Sequence, residues 1–196
     1  LLVNTTGAEN TAVGAFSLDA NIDGHSNTAF GRSSLSANTS GDYNTGLGMY
    51  ALLSATTANN NTAVGYAALV SSTTGYSNVS VGKDACYALT TGYQNTIMGH
   101  SAGNNGTTYQ RCTAVGFQAL YNNTANDVTA VGFQALLSNT TGIENTAIGY
   151  ATLDANTTGQ HNTAVGYQAL TANTTAQYNT AVGRNALASN TTGEYN

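Results

Sequence analysis

Arg111, Asp127, Glu144 and His161 recur along the chain at a nearly constant spacing. If each interval is one turn of a coil, the four side chains form a column in which the carboxylates of Asp127 and Glu144 lie about 5 Å apart, the spacing of the acid and nucleophile in a retaining glycosidase. The rest of that column reads Ser26, Tyr43, Asn60, Ser77, Gln94, Tyr178 and Tyr195. Such variety is that of an unconstrained solvated edge, so surface ion pairing is expected here rather than a polysaccharide depolymerase. A second column at the same spacing holds Phe117, Phe133, Tyr150 and Tyr167, the candidate binding residues. Aromatic rings in a row can stack on sugars, or can stack on one another and seal a subunit boundary. Elsewhere the column carries Arg32, Lys83, His100 and Arg184, so the aromatic run is local. His25, His100 and His161 occupy three different positions of the repeat and cannot converge. No Ser-His-Asp, paired-Cys or phosphate-loop pattern is present, so the expectation is a protein that is not an enzyme and has neither metal nor cofactor.

The element that must position these columns is a repeat. NTAVG begins at Asn10, Asn61, Asn162 and Asn179, and variants of the frame begin at Asn27, Asn44, Asn78, Asn95, Cys112, Val128 and Asn145. The step along the chain is always 17, falling to 16 only between Cys112 and Val128. A fixed period of this size means a solenoid, in which each unit touches little beyond its neighbours, so residues 1–196 form a single repeat domain of about eleven and a half coils. The frame opens with Leu1 at the ninth position of a unit and closes with Asn196 at the first, which reads as a segment of a longer fibrous protein.

Composition narrows the class. Charged residues make up 7% of the chain, Pro and Trp are absent, and the net charge is −5. Only four Lys and Arg are present, too few to neutralise phosphates, so nucleic acid is not an expected partner. No apolar run approaches the roughly 20 residues of a membrane span, and the first residues lack the pattern of a signal peptide. Cys86 stands at a core Leu position and Cys112 at a leading Asn two coils on, about 10 Å away along the axis, so both are expected to be free thiols.

Within a unit, the fifth position is Gly in all eleven cases, as at Gly14, Gly116 and Gly183, which demands a positive φ or a close backbone approach at a corner. The fifteenth is usually Gly, but Ala58 and Ala176 replace it, marking a less demanding turn. The fourth position is always apolar, from Val13 to Val182, and the ninth is Leu in nine units. These two are expected to form the core ladders, leaving the flanking Ala and Gly on the opposite face, where another chain could approach closely. One Val and one Leu per coil bury little area against the ordering of a whole unit, which argues for self-association, most simply as a homotrimer. The Asn-Thr-Thr runs at Asn4, Asn139, Asn156, Asn173 and Asn190 match the glycosylation sequon but are expected to be structural ladders. Their two Thr are adjacent and point to opposite faces, so the flat Thr plane of an ice-binding solenoid is not expected. The residue missing from the short unit is expected to come from the turn near Asn123 to Asp127, with Val131 still stacked on Val115.

At NTAVG the chain resembles the SVAIG-like repeats in the heads of trimeric autotransporter adhesins, and it is more similar still to the NTAVGYQAL and NTTG arrays of phage tail-fibre and bacterial surface-fibre proteins. The resemblance covers all eleven units, although the coil here is three residues longer than the usual adhesin coil. It implies an all-β, left-handed parallel β-roll, three chains about one axis, and a place outside the cell, on a cell surface or on a virion. The function it implies is the structural shaft of a fibre. A receptor- or glycan-binding adhesin module is the alternative.

Overall fold

The computed structural model describes residues 2–196, so Leu1 lies outside the described residues. It is an all-β parallel solenoid with no helix among the described residues. Eleven three-residue strands, from β1 (Thr11–Val13) to β11 (Thr180–Val182), pair in sequence order into one parallel sheet. Each strand holds the second to fourth positions of its unit, and equivalent residues pair throughout, as Thr11 with Thr28 and Val165 with Val182. Among the described residues no helix is long and apolar enough to cross a membrane.

Alternation along the strand runs in the opposite phase to the expected one. The small third residue points inward: Ala29, Ala63, Ala114, Ala130 and Ala147 are fully buried. The fourth points outward, with Phe30 54% and Ile148 40% exposed. The fourth position is therefore not a core ladder, and the Ala faces are not open for another chain. The physical reason is the thinness of the coil. Its interior must already hold the ninth-position ladder Leu18, Leu35, Leu52 and Leu69, each fully buried, and beside a leucine only a small residue fits between that ladder and the sheet; the larger Ile97, also fully buried, stands in the coil whose ninth residue is Gly103. Where the strand gives up even the methyl, at Gly46, the hydroxyl of Ser34 enters and donates to the Gly46 carbonyl at 2.8 Å.

Two tight turns carry the chain from the strand to the far side. In the second unit Ser34 N–H donates to the Gly31 carbonyl and Asn38 N–H to the Leu35 carbonyl, both at 3.2 Å. The fifth, seventh and ninth residues all have positive φ: Gly31 135°, Ser33 55° and Leu35 52°. Left-handed Leu is strained, by about 1–2 kcal/mol per residue. What holds it is stacking: Ser33 N–H donates to the preceding coil and Leu35 N–H to the following one, so alternate peptides must turn opposite ways.

Polar ladders replace bulk on the remaining sides. Leading Asn residues are buried, each accepting a backbone N–H from the next coil, as Asn44 N–H to Asn27 Oδ1 at 2.9 Å. The twelfth-position Asn residues of the sequon-like runs form a second ladder, Asn139 to Asn123, Asn156 to Asn139 and Asn173 to Asn156 at 2.7–2.9 Å. Thr hydroxyls at the thirteenth position donate to the carbonyl one coil on, as Thr140 to Thr157 at 2.9 Å.

The short coil closes as the spacing requires. β7 (Thr113–Val115) and β8 (Thr129–Val131) pair Val115 with Val131 in full register. In regular coils the twelfth Asn donates to the carbonyl three residues on, as Asn139 to Gly142, whereas Asn123 donates to Ala125, two residues on. The turn near Asn123 has lost its residue, and the sheet passes through unchanged.

Candidate functional site

The sixth position follows the Gly corner directly, so its side chains leave the coil at the edge of the sheet. There the structure brings Phe117, Phe133, Tyr150 and Tyr167 into one continuous stack. Ring centroids are 5.3, 5.0 and 5.1 Å apart and neighbouring rings lie within 16° of parallel. His100 meets the Phe117 end edge-on, and the Arg184 guanidinium sits 5.6 Å from the Tyr167 centroid at the other. Ring faces are thus occupied by neighbours, and edges point outward. Sugar stacking needs an open face. Beside the stack, Gln134 donates to Gln118 at 2.9 Å.

In the seventeenth-position column, Arg111 grips Asp127 with two hydrogen bonds, Nε to Oδ1 at 2.7 Å and Nη2 to Oδ2 at 2.8 Å. This bond holds the Asp127 carboxyl below its usual range and raises the Arg111 guanidinium. Glu144 faces His161 instead, Oε2 to Nδ1 at 3.3 Å, and His161 stacks on Tyr178, which stacks on Tyr195. Asp127 and Glu144 therefore engage separate side chains and sit in the open.

Two features escaped the sequence reading. One is the outward strand face, with the fourth positions half exposed beside threonines at the second. The other is a plug inside the coil. Tyr109 stands where most units have Gly, yet it is fully buried, and its hydroxyl donates to the Gly103 carbonyl at 2.8 Å and lies 3.4 Å from Cys86 Sγ. It fills space freed by Gly103 at a Leu position and Gly106 at an Asn position; a Cβ on either would collide with the Tyr109 ring or hydroxyl. The signal available in sequence was the coincidence of three departures within one coil. Cys86 and Cys112 are free and buried beside this plug, and burial pushes their thiols up to about 11 and about 12.

No family model, curated protein or solved structure matches the chain.

Proposed function

We propose that the chain is the structural shaft of an extracellular fibre, a phage tail fibre or a bacterial surface filament or adhesin, built as a left-handed homotrimer. The observation that carries this reading is the unbroken register of eleven strands, which continues even across the short coil. A part that works by length and stiffness needs that continuity. A part that works by a pocket needs a local departure with open, polar side chains, and the main departure here, around Tyr109, is sealed. Mutual stacking of the sixth-position aromatics supports stiffening over glycan capture, and the engaged Asp127 carboxylate supports a protein without catalysis. The extracellular or virion setting rests on the repeat resemblance.

Excision of one whole unit, residues 145–161, tests the reading. Since the cut joins equivalent positions, the variant is expected to fold with an unchanged β signal and a rod shorter by about 4.8 Å in small-angle scattering. Loss of folding on removing one internal unit would show that the coils are not interchangeable shaft elements.

A further inference from the structure

The outward face of the sheet carries no charge on any of its eleven strands. Its second positions are Thr in ten strands and Val79 in the other, and its fourth positions are Val, Phe30, Leu47, Met98 or Ile148. Solvent reaches 54% of Phe30, 43% of Leu47 and 42% of Met98. The hydroxyls of the strand threonines make no hydrogen bond to the protein among the described residues, unlike those of Thr39, Thr56 and Thr140 on the far side. That far side is polar at its fourteenth positions, with Asp23, Ser40, Thr57, Thr91 and Thr158 exposed, and Ile22 is a lone exposed aliphatic beside them. One side of the coil is thus left uncovered by its own fold.

We propose that this face is where a second copy of the chain packs, the two running parallel so that their fourth-position columns meet. The parallel direction rests on the shaft reading, because chains anchored at one end share a polarity. The face is long and open throughout: fourth positions from Val13 to Val182 stay exposed or half-buried over eleven rungs, an extended surface on the scale of the roughly 800 Å² that each partner gives to a standard specific interface. The chemistry is that of an interface core, aliphatic and aromatic side chains without Lys, Arg, Asp or Glu. The charges of the sixth-position column, Arg32, Lys83 and Arg184, fall beside the face, where a polar rim belongs. In a trimer, the fourth-position columns of the three chains meet about the common axis, with the threonine columns flanking them. The same small third residues that thin the coil force its larger apolar residues outward. A partner is therefore a consequence of the inverted phase.

Light scattering on the whole chain at low micromolar concentration, with circular dichroism and small-angle scattering on the same samples, tests this. The expected mass is three chains. Met98→Lys combined with Ile148→Lys, both on the open face, is expected to drop the mass to one chain with an unchanged β signal. Thr57→Lys with Thr158→Lys, on the far side, is expected to leave the assembly intact. A folded wild-type single chain overturns the proposal, whatever the variants do, as does an assembly indifferent to the two face lysines. In either case a rod of about 50 Å would leave the shaft reading standing, whereas a compact particle would remove it. Inhibition of ice recrystallisation by a single-chain species would overturn the proposal and give the face to ice instead.

Discussion

Gly116 and Gly142 look alike in sequence and differ in what they do. At Gly116 φ is 135°, and a Cβ would run into the backbone of Gly132 in the next coil. Side chains are excluded there by conformation and by space together. At Gly142 the backbone lies outside the left-handed region; a Cβ meets the Gly159 carbonyl, yet Ala58 and Ala176 are buried at the equivalent place in other coils. Gly116→Val is therefore expected to cost about 3 kcal/mol or more, and Gly142→Ala about 1 kcal/mol. Thermal denaturation of the two variants checks the ranking, which equal melting temperatures would refute. The residue-level rule visible in sequence, no exception against two exceptions, has here a direct physical cause.

At the scale of the element, the coil was legible wherever information is carried by spacing. The period, the corners, the stacking of the Asn-Thr-Thr runs and the passage of the short coil all follow from counting, because covalent distance fixes which residues sit one above another. The phase of the strand did not follow. Hydrophobicity assigns Val to the core over Ala, but alternation permits either phase. The choice depends on the width of the interior, set by the Leu ladder across from it and not written in the strand itself. Tyr109 was illegible for a related reason: an aromatic at a turn position reads as exposed unless the vacancies at Gly103 and Gly106 are added together. Of the candidate site, the alignment of Phe117 to Tyr167 in one column was legible from the spacing, while the mutual stacking of the rings needed the structure. The plug yields a double-mutant cycle. Tyr109→Gly alone should lose about 3–5 kcal/mol by opening a cavity. Gly103→Leu alone drives a side chain into the tyrosine hydroxyl. Together they restore the common residue at both positions, since Leu at 103 takes the φ of 57° already found there and near that of Leu120, while Ile97 and Gly106 stay as they are. Urea denaturation should place the double variant closer to wild type than either single one; additive losses would mean that Tyr109 does not occupy the missing leucine's space.

The whole molecule is a stack in which every coil is held by the two beside it, and its buried ionisable groups report on that stack as a unit. Cys86, Cys112 and Tyr109 lie near the middle of the eleven strands, within the core, and burial raises all three above their usual ranges, the thiols to about 11 and about 12. In the unfolded chain a thiol ionises near 8.5. The sign follows: below that pH both states hold the proton and the groups leave stability unchanged. Above it the unfolded state releases protons that the folded state keeps, so stability falls as pH rises from about 8.5 toward the folded values. Urea midpoints are therefore expected to be flat with respect to these groups up to about pH 8.5 and to decline beyond it. Cys86→Ala together with Cys112→Asn, the second restoring the common residue, should flatten part of the decline. Reaction of the two thiols with a soluble disulfide reagent should follow the same opening: negligible in the folded chain at pH 8, and accelerating in step with the urea transition. Rapid labelling of both cysteines with the β signal intact would mean that the middle coils open locally, and the stack would then not be a single cooperative unit.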